Sequence, residues 1–492
     1  MNKHAQENKF LQYCGQAERS CSEEVCRTEL TGAARPAEFL QQIVLFQISN
    51  ICSFCFCKIW VKIKCHHMFP ESCLAISEFH LSAVGTMGRI LELLVVLIGA
   101  GTLSACPEKC FCHLKLVDCR DTALQTIPVD INPSTQTLFL DGNSLTGIPL
   151  NSFSNLGQLN YLGLSGNRLV LQNDIFDPLL RLQSLDLSAN HLSELAADLF
   201  ENLSNLTWLN LANNNLRSIH LEKSLTKLTY LDLSNNKLTV LRQTFERFPQ
   251  LDTLDLRSNQ LKTLPETGFS QLLLLKVLDL SNNELSFLPS QFLRHHHKLT
   301  DLRLDHNQFS NVTATLFSEL RHLQYLTISG NVIRNFPPEL IANLTKLLKL
   351  DLSSNLLTSL PLNFLSNLRE LQLLKLSDNF IDTLAAATFK YNSKLVYLYL
   401  DSNNLRHLPV FDGLSQLEEL TLSFNSLRGF PKGFADNLVK LNCLQAIDNV
   451  IGQWDIREFA NVSSVLLRNN PICTAEDSGG QPTNIDCTKT QC

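Results

Sequence analysis

Residues 228–238 read LTYLDLSNNKL, and two later stretches, LDTLDLRSNQL (251–261) and LKVLDLSNNEL (275–285), repeat the spelling with little change. Further out, the same frame recurs as LQSLDLSANHL (182–192), LNYLGLSGNRL (159–169) and LLKLDLSSNLL (347–357). Its asparagine marks the period, from Asn143 through Asn236 and Asn331 to Asn470, in steps of 21 to 24 residues that are mostly 24. Fifteen copies are found this way, the last two degraded. Such self-similarity predicts one stacked array in place of several ordinary domains. Leucines at the first, fourth and sixth positions read as a short strand facing inward, and the residues between them point outward onto one face. The asparagine stands where the chain must turn. Its side chain carries an acceptor and two donors for backbone groups that would otherwise be buried unpaired. Nine or ten residues later comes a phenylalanine in most copies, as in Phe153, Phe200, Phe269 and Phe389, which predicts a stacked spine on the convex side. Fifteen strands spaced ~4.8 Å apart make a concave ladder about 65–70 Å long.

The pattern is identified as the leucine-rich repeat. That implies an α/β solenoid, a horseshoe with a parallel concave β-sheet of about 15 repeats. A solenoid leaves its end cores open, so the terminal repeats need caps. Directly before the first repeat stands LSACPEKCFCHLKLVDC (103–119), with the spacing Cys106-x3-Cys110-x-Cys112-x6-Cys119. It closely resembles the cysteine-rich N-terminal cap of animal extracellular leucine-rich repeat proteins, the class that includes Slit, the small proteoglycans and receptor ectodomains of the Toll-like type. The resemblance covers about residues 106–473. It implies bridges Cys106–Cys112 and Cys110–Cys119, which spacing alone does not fix. The far end departs from that class, many of whose members close with NPW, then CxC and two later cysteines. Here the stretch is NNPICTAEDSGGQPTNIDCTKTQC (469–492), with Ile472 in place of tryptophan and only Cys473, Cys487 and Cys492. Two readings of the odd cysteine stay open. One is a bridge to Cys443, which the register puts on the outward strand face of repeat 14. The other is a free or strained thiol.

The position of the cap, a hundred residues into the chain, needs an account. Met87 opens MGRILELLVVLIGAGTLSA, in which Arg89 precedes an apolar run ending in small residues before Cys106. That is the layout of a secretory signal peptide, and the run falls short of the roughly 20 apolar residues that span a bilayer. The organisation expected is therefore an upstream extension absent from the mature protein or without ordered structure (1–86), a signal peptide (87–105), the cysteine-rich cap (106–137), the repeats (138–472) and a short C-terminal cap or tail (473–492). The competing reading makes 1–86 a genuine domain followed by a buried apolar helix. Within it Cys52, Cys55, Cys57 and Cys65, followed by His66 and His67, resemble metal ligands only superficially, because no second spaced CxxC knuckle accompanies them. A bacterial lipoprotein reading of Leu103-Ser104-Ala105-Cys106 would lipidate Cys106 and break the symmetry of the cap.

The bulk numbers exclude little by themselves. A net charge of −6, with 44% hydrophobic and 18% charged residues, gives no reason to expect nucleic acid as a partner. No nucleophile elbow, phosphate-binding glycine loop, HExxH or paired carboxylates stand outside the repeat register, so neither catalysis nor a cofactor or metal is expected. The triplet His295, His296 and His297 falls in a connecting stretch and reads as a solvated turn. Five sequons, Asn202, Asn205, Asn311, Asn343 and Asn461, suit a secreted glycoprotein. Four fall in connecting segments and Asn461 abuts the last strand, which would leave most of the concave ladder clear of glycans.

Function is expected on the outward strand positions. The third-position column carries Tyr161, Trp208, Tyr230, Tyr325 and Tyr397, with Tyr399 beside the last. Tyrosine and tryptophan are enriched at binding hot spots. The fifth-position column reads Asp186, Asn210, Asp232, Asp255 and Asp279, then Arg303, Thr327, Asp351 and Lys375. An acidic stripe beside aromatics over repeats 2–7 would receive a basic protein surface, although aspartate here is also common repeat filler. The ligand-binding set expected is Tyr161, Trp208, Tyr230, Asp186, Asp232, Asp255 and Asp279. The settings that the resemblance implies are a soluble receptor for an extracellular protein ligand, a matrix or adhesion scaffold with self-association, or an inhibitor of a secreted enzyme. None of these calls for a membrane span in the mature chain. If Met87 is the start, N-terminal sequencing of secreted protein should begin at or within a residue or two of Cys106. Peptides from residues 1–86 in the mature protein would contradict this.

Overall fold

The computed structural model describes residues 106–196, 198–221, 224–241, 245–452, 456–473 and 485–489. The extension, the signal peptide, the Cys52–His67 stretch and Cys492 lie outside the described residues. Strands β1 (Phe111–His113) and β2 (Leu116–Asp118) form an antiparallel hairpin. After them come fifteen strands of three residues, β3 (Thr137–Phe139) to β17 (Ser464–Leu466), each parallel to the next. A last strand, β18 (Ile485–Asp486), pairs with β17. The register never slips. The central leucine of each strand faces its counterpart, as Leu231 faces Leu254 and Leu254 faces Leu278. Leucines at positions 1, 4 and 6 are buried throughout, and phenylalanines stack behind them. Phe153 lies 6.1 Å from Phe176, Phe269 lies 4.8 Å from Phe292, and Phe411 lies 5.2 Å from Phe434, centroid to centroid.

Asparagine holds successive turns together. Asn259 donates from Nδ2 to the carbonyls of Leu233 and Leu256, each at 3.0 Å, and its Oδ1 accepts the Leu238 amide at 3.0 Å. Two of these three partners belong to the preceding repeat. The arrangement runs unbroken to Asn470, which donates to Ala446 and Leu467 and accepts from Ile451. At the other end Asn143 donates to the Cys119 carbonyl at 2.8 Å and accepts the Leu124 amide at 2.9 Å, so the cap is the ladder's first rung. The residue before every one of these asparagines has a positive φ, between 51° and 65°. Glycine, asparagine, serine and aspartate dominate there. Phe424, at φ 55°, is the bulkiest occupant of a conformation that costs most side chains roughly 1–2 kcal/mol.

The connecting arcs hold turns and three short 3₁₀ helices among the described residues, and no α-helix. The helical half of the solenoid is thus reduced to turns, and the spacing explains why. The buried residues of the arc recur every third position, as in Phe153, Leu156 and Leu159, with amides bonding three residues back (Leu156 to Phe153 at 2.9 Å, Leu159 to Leu156 at 3.0 Å). That is the 3.0-residue period of a 3₁₀ turn, not the 3.6 of an α-helix.

Both ends are cross-linked. Cys106 is bridged to Cys112 and Cys110 to Cys119, and Cys473 is bridged to Cys487. Cys443 is also disulfide-bonded, and its partner lies outside the described residues. That bond removes the free-thiol alternative, and the residue is 5% exposed despite its outward strand position. The histidine triplet is divided as well. His296 is 1% exposed and fills a place that leucine takes in neighbouring arcs (Leu272, Leu320), with Nε2 3.1 Å from the Phe269 carbonyl oxygen. Burial pushes its pKa down to about 4, so it is a neutral core residue, while His295 and His297 stay in solvent.

Removing the Asn259 amide orphans the buried Leu238 amide and takes from the Leu233 and Leu256 carbonyls one of their two asparagine donors, the others being Asn236 and Asn283. Asn259→Ala should therefore destabilise the chain by about 1–3 kcal/mol in denaturant unfolding. Phe424→Asn should do the opposite and stabilise by about 1 kcal/mol, because asparagine tolerates the left-handed conformation.

Candidate ligand-binding face

The strands present two outward columns to the concave side. In the third-position column Trp208 and Tyr230 occupy paired positions on adjacent strands. Their rings stack with centroids 5.5 Å apart and planes inclined by 14°. Such a pair is worth about 0.5–1.5 kcal/mol beyond its area. Both are only half-buried, so neither belongs to the leucine core. Tyr325 and Tyr397 are exposed, and Tyr161 is half-buried. Burial, reinforced by Asp232 and Asp255, pushes the Tyr230 hydroxyl up to about 12; Tyr161 rises as far, with Asp141 and Asp186 as its acidic neighbours. Two residues of the first turn were not anticipated. Phe139 packs against Tyr161 at 5.0 Å, and the Arg120 guanidinium lies 4.6 Å above the Phe139 ring. The fifth-position register of repeat 1 already points to Phe139; nothing local points to Arg120.

The acidic column has a structural task. Asp186 accepts the Ser188 amide at 2.9 Å, Asp232 the Ser234 amide at 2.8 Å, Asp255 the Arg257 amide at 3.0 Å and Asp279 the Ser281 amide at 2.9 Å. Each carboxylate closes the turn that leaves its own strand. Asn210 does the same for Ala212 at 3.0 Å. In three repeats whose fifth position lacks such an acceptor, an aspartate at the seventh position of the preceding repeat takes over, and in repeat 14 the Ser423 hydroxyl accepts the Ile447 amide at 3.2 Å. Asp141 serves Ser165 opposite Gly163, Asp305 serves Ser329 opposite Thr327, and Asp401 serves Ser423 opposite Thr421. A β-carbon at Gly163 would sit 2.4 Å from Asp141 Oδ2, so that substitute acceptor needs the glycine.

The second carboxylate oxygens are engaged too. Asn210 Nδ2 reaches Asp186 at 3.3 Å, Tyr230 Oη reaches Asp232 at 3.3 Å, and Arg257 Nε stands 3.5 Å from Asp255. Arg303 lies 3.6 Å from Asp279 and 2.7 Å from Asp301; Lys375 lies 3.5 Å from Asp351 and 5.9 Å from the centre of the Tyr399 ring. Burial, with Asp232 and Asp279 nearby, raises Asp255 to about 6. Taken together, the stripe is a partly neutralised scaffold from which the aromatics project.

Among the sequons, Asn202, Asn311, Asn343 and Asn461 are exposed. Asn205 is half-buried; its Nδ2 donates to the Leu180 carbonyl at 2.8 Å and its Oδ1 accepts from Lys227 at 2.7 Å. Asn202, Asn343 and Asn461 each stand twelve residues after a ladder asparagine, in one strip along the connecting arcs. Among the described residues, no helix is long and apolar enough to cross a membrane, and no group of three or more His, Cys, Asp or Glu is placed to hold a metal ion.

Comparison with known proteins places the architecture. Horse decorin is 39% identical over 85 residues, which is 17% of this chain and 23% of decorin, so the match spans less than a quarter of that relative. A leucine-rich repeat protein of Leptospira interrogans superposes with a TM-score of 0.57 at 29% identity, over 72% of this chain and 89% of its own. The ectodomain of the Arabidopsis thaliana receptor kinase GASSHO1/SCHENGEN3, solved in complex with CASPARIAN STRIP INTEGRITY FACTOR 2, superposes with a TM-score of 0.52 at 26% identity, over 70% of this chain and 45% of its own. The family model for the leucine rich repeat matches residues 113–169 and, in overlapping segments, 180–427, more than half of the chain. With its first turn cross-linked as in the cysteine-capped animal extracellular members, the chain belongs to the leucine-rich repeat family.

Proposed function

We propose that this chain is a secreted leucine-rich repeat glycoprotein that binds an extracellular protein ligand through its concave face, as a soluble receptor without catalytic activity. The observation that carries the reading is the Trp208–Tyr230 stack. Large aromatics on an outward column add nothing to the leucine core, and rings of this kind dominate protein interfaces. The ectodomain of the plant receptor, a structural relative, was solved with a bound factor, which fits a recognition role for the shared solenoid. The acidic residues act differently from the aromatics. With their oxygens already engaged, Asp186, Asp232, Asp255 and Asp279 supply a negative field that steers a basic partner, and the rings supply the contact. Placement of the sequons on the connecting arcs leaves that face open.

Three outcomes test this once a ligand is captured from extracellular fluid. Trp208→Ala with Tyr230→Ala should weaken binding by at least about 2 kcal/mol while the unfolding midpoint barely moves. Unchanged affinity would move the site elsewhere. Asparagine can close these turns, as Asn210 does, so Asp232→Asn with Asp255→Asn should leave the fold intact. The same double variant should slow association and flatten its salt dependence. Because Asp255 titrates near 6, the stripe loses negative charge as pH falls through that value; association with a basic ligand should slow there, and Asp255→Asn should remove the step.

A further inference from the structure

A second ladder runs along the edge where the chain leaves the strands. In repeats 9 to 14 the residue just after the asparagine donates its amide to the preceding repeat: Val332 to Phe309 at 3.0 Å, Leu356 to Ile333 at 2.9 Å, Phe380 to Leu357 at 2.8 Å, Asn404 to Ile381 at 2.9 Å, Ser426 to Leu405 at 2.9 Å and Val450 to Leu427 at 3.0 Å. The backbone does the bonding, so the side chain at this rung is left to solvent. From Ser144 in repeat 1 to Gln308 in repeat 8, that side chain is always polar or charged. From repeat 9 the rule changes. Val332, Leu356 and Phe380 follow on three consecutive rungs, and the apolar character resumes at Val450, with the left-handed Phe424 beside it. Phe380 is 51% exposed, Phe424 59% and Val450 51%. Exposed apolar residues earlier on this edge, such as Val240 and Phe287, stand singly. A strip of exposed apolar side chains of this kind, broken at Asn404 and Ser426, marks an interaction surface.

Charge identifies what covers it. Two residues beyond the strip, in the same turns, stand exposed Asp382 and Arg406, on adjacent rungs at the middle of the strip, with no ion pair to each other. A two-fold axis lying in the plane of this edge, crossing the ladder between the Phe380 and Asn404 rungs, brings the strip of a second copy face to face with it. Asp382 of one copy then meets Arg406 of the other, twice. The two Phe380 rings meet near the axis, Leu356 approaches Phe424, and Val332 approaches Val450. Self-complementarity of this sort is what an isologous interface requires. We infer that the edge of repeats 9–14 is a homodimer surface, occupied by a second copy of this chain and independent of the concave-face reading.

Sedimentation of the full chain tests it. The wild type should form a dimer, and Phe380→Asp should make it monomeric with its unfolding transition unchanged, since that ring is exposed. Asp382→Arg alone and Arg406→Asp alone should each weaken dimerisation by at least about tenfold. The doubly reversed chain, D382R with R406D, should recover it, because the swap restores both pairs. A wild type that stays monomeric at about 0.1 mM would overturn the inference. So would a dimer indifferent to Phe380→Asp, or a double reversal no better than the single ones.

Discussion

One side-chain amide per repeat decides whether this chain can stack. At the end of each strand the backbone turns away from the sheet while still inside the core, leaving carbonyls with no strand partner and no water. An asparagine placed there binds a carbonyl of its own turn and one of the turn before, and receives an amide from that same earlier turn. Buried polar groups must be paired, so the bond network is both the seal of one repeat and the join to its neighbour. The leucine core supplies the driving force. The asparagines fix which strand lies beside which, and the flat register of the whole sheet follows from them.

The same requirement accounts for the acidic concave column. Each strand also leaves an amide at its seventh position, and in ten repeats the chain gives it a side-chain acceptor by one of two routes, within the repeat or from the repeat before. Where an aspartate supplies the second route, the fifth position is released and becomes small, as at Gly163, Thr327 and Thr421. Where the fifth position carries Phe139, Arg303, Lys375 or Tyr399, it has left the capping task altogether. Those departures, together with the third-position aromatics, are the side chains on this face that the fold does not require.

Much of this was legible in the sequence, because a period of 24 and an inward leucine set determine strand, face and neighbour together. The cysteine spacing, through its resemblance, implied both N-terminal bridges. What stayed hidden is instructive. The sequence shows that Asp232 points outward but not that its oxygens are already engaged by Ser234 and Tyr230. His296 looked solvated because its neighbours are polar, yet the three-residue spacing of the arc puts it in a leucine's place. That same spacing holds the connecting arcs in turns. Cys443 sat at an outward position by register and is nonetheless covered.

The two capping routes also decide where the molecule can be cut and rejoined. A repeat that caps its own turn with Asp186, Asp232, Asp255, Asp279 or Asp351 carries its capping acceptor with it, so whole units there can be lost or duplicated without leaving an amide stranded. At four borders the acceptor and the amide it serves belong to different units: Asp141 with Ser165, Asp305 with Ser329, Asp401 with Ser423, and Ser423 with Ile447. A crossover at any of these would strand a donor. The array is therefore modular in its early middle and stitched at the borders of repeats 1 and 2, 8 and 9, 12 and 13, and 13 and 14, so unequal recombination is expected to change its length mainly within repeats 3 to 7.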